Sequence, residues 1–232
     1  MEQLKSKIIG KRFSSRKNKV FKISYEGNIC VAKVFNRSWV ERARTEFEIL
    51  EICQNKGVLA PTPIKLLDDA IIMSYISGDN LLDTFNIIER KDGVSNHEIN
   101  ISYLLNLKAK WLAEFHRATD YEIIRGDTIM RNFIVAGDRL FGIDFEESIS
   151  SDPLIDIGQA CAFILSLDPV FTNKRFEAAR FFSEKYWFYT RSDRSDELPP
   201  LISSALRDIA RFRDEPDILK SWADKIEDFK RL

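Results

Sequence analysis

Cysteine is scarce in this chain of 232 residues: Cys30, Cys53 and Cys161 are odd in number, far apart and set among apolar neighbours. No CxxC pair occurs, which excludes a disulfide framework and the common zinc modules and leaves three reduced, buried thiols as the expectation. No stretch approaches the roughly 18 apolar residues that a membrane-crossing helix needs. The opening residues, MEQLKSKIIGKRF, lack the apolar core and small-residue cleavage site of a secretory signal. A cytoplasmic protein with no membrane contact is therefore expected. There is no internal repeat and no low-complexity tract. Glycine is missing between Gly10 and Gly27. What is present, 44% hydrophobic and 31% charged residues, is the balance of an ordinary globular protein. A chain this long buries a core without staples, as one compact unit or as two small lobes sharing a cleft.

Charge is unevenly spread. The whole chain carries −1, yet residues 1–45 hold twelve Lys and Arg against Glu2, Glu26 and Glu41, or 12 − 3 = +9. Such a segment attracts phosphates, RNA or an acidic protein partner; equally, it is the solvated surface of strands and a helix.

Hydrophobic periodicity divides the chain. Residues 8–13, 19–25 and 29–35 read as strands, the last two alternating apolar and polar residues around a turn at Glu26, Gly27 and Asn28. Val40, Ala43, Phe47, Leu50 and Ile52 recur at helical spacing over 38–55, with Ser38 as the cap and Gly57 as the stop. Two short strands follow at 64–67 and 70–75. Helices are expected over 81–90 and 102–118, around a polar loop containing Asp92, Gly93, Asn96 and His97, and again from Asp156 onward, with a loop at 191–200. The fold class is thus α+β, with a strand-rich part over residues 1–75 and a helical part over 76–232.

Chemistry concentrates in residues 125–147, RGDTIMRNFIVAGDRLFGIDFEE. Asp127 precedes Asn132 by five positions. The apolar run 133–135, a turn at Gly137-Asp138 and a strand over 140–145 ending in Asp144 would bring both ends of a hairpin together. One carboxylate that takes a proton from an acceptor hydroxyl, plus an amide oxygen and a second carboxylate that hold a divalent ion, is what phosphoryl transfer requires. Asp127 and Asn132 are also common turn residues, Lys33 is compatible with a snorkelling edge-strand lysine, and Glu46 stands four residues from Arg42 on one helix face.

The ordered set Lys33, Glu46, Asp127, Asn132, Asp144 and Asp156 resembles the protein-kinase-like superfamily, over residues 8–165. Asp144-Phe145-Glu146 and the run 152–157, DPLIDI, are similar to the aminoglycoside phosphotransferase and choline kinase branch. The resemblance implies a bilobal fold with a small antiparallel-sheet N-lobe and a helical C-lobe, and an ATP-dependent kinase using Mg²⁺ or Mn²⁺ to phosphorylate an unidentified hydroxyl-bearing small molecule. It implies Asp127 as catalytic base and Asn132 and Asp144 as metal ligands. Lys33, paired with Glu46, would contact the phosphates. Ser14 and Ser15 would lie in the nucleotide-covering loop, and Met73, Ser74, Tyr75 and Ile76 in the adenine-binding hinge. Asp156 and His116 would support the catalytic loop.

Two other readings stand beside this one. The passage 57–61, GVLAP, resembles the small atypical kinase of the tRNA threonylcarbamoylation complex, which implies a Ser/Thr protein kinase or ATPase associated with tRNA modification. Three departures from the pattern point instead to a nucleotide-binding pseudokinase scaffold. Arg125 stands where the family has histidine, Ile129 where it has Lys or His, with Arg131 a replacement source of charge, and the loop with Ser14, Ser15 and Arg16 has no glycine. His116 is read as a hydrogen-bonded structural residue, and Trp111, Trp187, Phe181 and Phe182 as packing residues.

Overall fold

The computed structural model describes residues 6–15, 17–91, 100–214 and 216–227. His97 and its neighbours Asp92, Gly93 and Asn96, like Arg16, lie outside them. The N-terminal region is built on a five-stranded antiparallel sheet in the order β1-β2-β3-β5-β4. Its strands are β1 (Ser6–Phe13), β2 (Lys19–Tyr25), β3 (Asn28–Val34), β4 (Pro63–Leu66) and β5 (Ala70–Ser74), with α1 (Val40–Lys56) between β3 and β4. Tyr25 pairs with Asn28 across a two-residue turn in which Glu26 and Gly27 both have positive φ, 49° and 82°. That turn matches the twist of the strands it joins. Gly57 ends α1 in the left-handed conformation at φ 75°, its N–H reaching the carbonyls of Cys53 and Gln54.

Helices and short ladders make up the rest: β6 (Asp79–Asn80), α2 (Leu81–Lys91), α3 (Ile101–Ala118), β7 (Ile123–Ile124), β8 (Phe133–Ala136), β9 (Arg139–Gly142), β10 (Ile149–Ser150), α4 (Leu154–Leu165), α5 (Asn173–Thr190), α6 (Leu198–Ala210) and α7 (Pro216–Glu227). Asn100 caps α3, its side-chain oxygen accepting the N–H of Tyr103 at 2.8 Å. The architecture is α+β, with an antiparallel-sheet N-terminal region and a helical C-terminal region.

Three local expectations need correction. Ser38 is not the cap of α1: it lies inside a 3₁₀ turn, Arg37–Trp39, and makes no capping hydrogen bond. The strand expected to run through Asp144 stops at Gly142, and Asp144 itself is left-handed at φ 65°. The loop expected over 191–200 ends at residue 197, because Pro199 and Pro200 fall in the first turn of α6, where a missing N–H costs nothing. The ladders β6, β7 and β10 are two residues each, too short to print a period of two.

One continuous core joins the two regions. At its centre Trp111 of α3 packs on Phe115 (5.5 Å between ring centres), Phe133 (5.2 Å) and Phe145 (6.1 Å), and its indole N–H donates to the carbonyl of Leu59 at 2.7 Å. Phe182 is fully buried, Trp187 nearly so, and Phe181 packs on the same core half-buried. The three cysteines are free and buried. Burial pushes the thiols of Cys53 and Cys161 up to about 12, so both stay protonated. Among the described residues no helix is long and apolar enough to cross a membrane.

Gly142 lets β9 lie against this core: a Cβ there would overlap the Trp111 ring and come within 2.9 Å of an Arg125 guanidinium nitrogen. Gly142→Ala is therefore expected to cost about 1–3 kcal/mol by overpacking, read as a lowered denaturant midpoint at unchanged slope. An unshifted midpoint would mean that Trp111 moves freely.

Candidate active site

Lys33 is the second-to-last residue of β3, facing Val20 of β2 and Ile71 of β5 in register. Its side chain turns inward and is only 5% exposed. The ammonium meets Glu46 Oε2 of α1 at 2.6 Å, Asp144 Oδ1 at 2.5 Å and Glu146 Oε2 at 2.9 Å. It is a buried group with three anionic partners rather than a snorkelling one. Glu46 meets Lys33, while Arg42, its alternative partner, ion-pairs with Glu147 and lies 4.0 Å from Glu146. Burial alone would lower the Lys33 pKa, but the three carboxylates hold it well above the ordinary lysine value. Glu46 is pushed up to about 7 by burial, against the pull of Lys33 and with the push of Asp144 and Glu146. Three carboxylates share one ammonium, and the Glu46 Oε1 atom is buried without a hydrogen-bond partner among the described residues.

The second half of the cluster is a loop held by its own backbone. Asn132 closes a 3₁₀ turn, and its Nδ2 donates to the Asp127 carbonyl at 3.4 Å. Its carbonyl accepts the N–H of Ile143 at 2.9 Å, which fixes the loop to the residue before Asp144. Burial pushes the Asp127 carboxyl above the usual carboxylate range, while Arg125 and the N–H of Ile129 pull it back. Beneath the loop, both oxygens of the fully buried Asp156 accept backbone N–H groups, from Arg125 at 2.7 Å and Gly126 at 3.0 Å. His116 Nε2 lies 3.0 Å from Asp156 Oδ2, and its Nδ1 lies 2.8 Å from the hydroxyl of Tyr186 on α5.

Arg125, a departure in the sequence, is a tie in the structure. Its guanidinium is fully buried and donates to the carbonyls of Ile143, Asp144 (3.0 Å) and Asn132 (3.4 Å). It lies near the rings of Phe133 and Phe145, each 4.8 Å away, and that of Trp111 at 5.4 Å. One side chain thus links the Asp127–Asn132 loop to Asp144. Ile129 is half-buried and Arg131 exposed.

The remaining expected site residues have other contacts. Ser14 is exposed, and Ser15 Oγ accepts the N–H of Asn18 at 3.2 Å. Met73 is buried in β5. The backbone N–H of Ser74 donates to the Thr62 carbonyl at 2.9 Å, so that donor is already engaged. Tyr75 stacks on Phe13 at 6.3 Å and lies 4.0 Å from the Lys22 ammonium, while Ile76 is half-buried.

Several residues of the cluster have no role that the sequence alone reveals: Glu146, Glu147, Asn18 and Arg42. Asn18 Nδ2 donates to Glu146 Oε2, and Lys17 meets Glu147 at 2.5 Å. The doubled acid in DFEE, which meets Lys17 and Asn18, is the available signal. The donor set around Asp144 is oxygen only: the carboxylates of Glu46, Asp144 and Glu146 lie within 4.8 Å of one another. Oxygen donors of this kind suit a hard divalent cation better than a soft one.

A RIO domain family model matches residues 6–155, which include Lys33, Glu46, Asp127, Asn132 and Asp144. The chain belongs to the RIO domain family. No curated protein matches its sequence. Its fold is similar to that of an amicoumacin kinase solved with AMP-PNP, Ca²⁺ and Ami (TM-score 0.66, 12% identity, 94% of this chain and 87% of that one). It is also similar to a protein of Ralstonia eutropha described as an aminoglycoside phosphotransferase (0.62, 12%, covering 99% and 93%) and to WaaP in complex with acyl carrier protein (0.56, 18%, covering 94% and 89%). At these identities the likeness is one of fold, and that fold is protein-kinase-like.

Lys108 of α3 lies fully buried beside the site. Its ammonium has no hydrogen-bond partner among the described residues and sits 5.5 and 5.4 Å from the rings of Phe133 and Phe182. Burial lowers its pKa to about 7. The unfolded chain, with lysine near ~10.4, binds more protons between these values, so stability rises with pH across that window. Lys108→Met is expected to melt above the wild type at pH 7, with the gap closing towards pH 10. A gap independent of pH would contradict a neutral lysine.

Proposed function

We propose that the protein is an ATP-dependent phosphotransferase that phosphorylates a hydroxyl of a small molecule, with residues 1–75 and 76–232 as the two lobes around the nucleotide. One observation carries this reading: Lys33, from the sheet, and Asp144, from the loop tied to Asp127 and Asn132, meet at 2.5 Å although 111 residues separate them. The kinase-like fold, and the AMP-PNP and Ca²⁺ that accompany the amicoumacin kinase in its solved structure, support a nucleotide with a divalent ion as the ligands.

The roles follow from chemistry. Lys33, oriented by Glu46, neutralises charge on the α- and β-phosphates. Asn132 and Asp144 would hold Mg²⁺ or Mn²⁺, which supplies charge neutralisation at the β- and γ-phosphates. Asp127 takes the proton of the acceptor hydroxyl as the new oxygen–phosphorus bond forms and the bond to the ADP oxygen breaks. A carboxyl raised by burial is the stronger base for that step. Asp156, through two backbone N–H groups, and Arg125, through three carbonyls, fix where Asp127 and Asp144 stand. The hinge residues Met73, Ser74, Tyr75 and Ile76 would face adenine, and Ser14 and Ser15 would cover the phosphates. Exposed Arg131 supplies the positive charge that Ile129 lacks.

A second reading, an atypical Ser/Thr protein kinase or ATPase, is favoured by the family match itself. That match ends at residue 155, before most of the helical region that would receive a small acceptor.

Labelled γ-phosphate transfer from ATP, screened over amino sugars, amino alcohols and a generic protein acceptor with Mg²⁺ and Mn²⁺, tests both readings. Transfer to a small molecule, reduced about 10²–10⁴-fold in Asp127→Ala with nucleotide affinity kept, is the expected result. Transfer to protein alone would favour the second reading. Unchanged turnover in Asp127→Ala would remove Asp127 as the base.

A further inference from the structure

The ammonium of Lys33 has three N–H donors and three carboxylate partners, Glu46, Asp144 and Glu146. Two of these donors bond Glu46 and Asp144, Glu146 stands 2.9 Å away as the third, ion-paired neighbour, and the four side chains together carry more negative than positive charge. A triphosphate that uses Lys33 must take the place of one carboxylate. Glu46 is the least able to leave, being fully buried in α1. Asp144 is 41% exposed and, as a kinase residue, a metal ligand. Glu146 is the remaining partner, and Lys33 is not its only contact.

Asn18, buried at the start of β2, donates its side-chain N–H to the same Glu146 Oε2 that meets Lys33. Asn18 is also the anchor of the loop between β1 and β2. Its N–H goes to Ser15 Oγ at 3.2 Å, and its carbonyl accepts the Arg12 guanidinium at 2.9 Å. Next to it, Lys17 meets Glu147 at 2.5 Å, and Glu147 is shared with Arg42. The Arg42 guanidinium lies 3.8 Å from the Trp39 ring, with Lys17 5.9 Å from that ring. The two acids of DFEE therefore fasten Lys17 and Asn18 to the segment that follows Asp144, and one of them also meets Lys33.

We propose that Glu146 and Asn18 form a latch: Glu146 stays ion-paired with Lys33 while Asn18 holds the start of β2 down on it, and nucleotide phosphate enters by replacing Glu146 on Lys33. Glu146 is thus a positioning residue, which sets the loop and the affinity without touching the reacting atoms. The proposal rests on the reading of Lys33 as a phosphate contact, but the latch itself has a consequence that needs no nucleotide.

Two measurements on the full chain separate the possibilities. In the absence of nucleotide, trypsin cleavage at Lys17 should be several-fold faster in Glu146→Gln and in Asn18→Ala than in the wild type, at a melting temperature that shows both variants folded. Equal cleavage rates in folded variants would overturn the latch whatever the protein binds. With ATP and Mg²⁺, titrated while Trp39 fluorescence is followed (Trp39→Phe as the blank), Glu146→Gln should bind about fivefold more tightly, because the closed state no longer has to be opened first. Where the wild type binds nucleotide, unchanged or weaker binding by Glu146→Gln would also overturn the latch. Faster cleavage in both variants with no nucleotide bound by any form would keep the latch and remove the kinase reading.

Discussion

A single ammonium, removed from water, is the interaction on which the arrangement depends. Burying a lysine costs several kcal/mol unless anions come with it. Lys33 is brought inside by β3, and the anions come from α1 and from the loop after β9. The charge can be satisfied only when the sheet, the helix and that loop are all in place. The same requirement leaves a surplus of carboxylate around it, seen in the raised Glu46 and its unpartnered oxygen. A cluster with excess negative charge and only oxygen donors is suited to receive a divalent cation.

The second constraint is how the loops are held. Asp127 and Asn132 occupy an irregular segment with little secondary structure of its own, so side chains do what a ladder would otherwise do. Asp156 takes two N–H groups from one side, and Arg125 donates to three carbonyls from the other. Arg125 is itself surrounded by Trp111, Phe133 and Phe145, the rings that join the sheet region to the helices. Packing and the geometry of the candidate site therefore share residues. A substitution in that aromatic group acts on the position of Asp144 as well as on stability.

Much of this is legible in the sequence. The α+β order, the hairpin at Glu26-Gly27, the Gly57 stop and the span of α3 follow from periodicity and turn chemistry. Recognition of a protein-kinase-like chain rests on an ordered set of residues and not on any one of them. What stays hidden has physical causes. Periodicity sets the end of β9 three residues too late because Ile143 and Phe145 continue an apolar pattern, while the left-handed turn at Asp144 leaves no mark in composition. Arg125 reads as a loss of the family's histidine, because nothing in sequence reveals a guanidinium bonded to three carbonyls. Glu146 and Asn18 go unassigned because they are 128 positions apart, and their contact exists only once both loops are folded. Residue roles, unlike positions, belong to the reaction and have to be read there.

The central claim is that Lys33 and Asp144 serve one metal-bound triphosphate. Calorimetric titration of ATP into the wild type, Lys33→Met and Asp144→Asn, each with Mg²⁺ and with EDTA, tests it most directly. The expected result is binding that depends on the metal in the wild type, weakened in Lys33→Met under both conditions, and no longer sensitive to the metal in Asp144→Asn. Equal affinities in all three proteins, or a metal dependence that survives in Asp144→Asn, would contradict it.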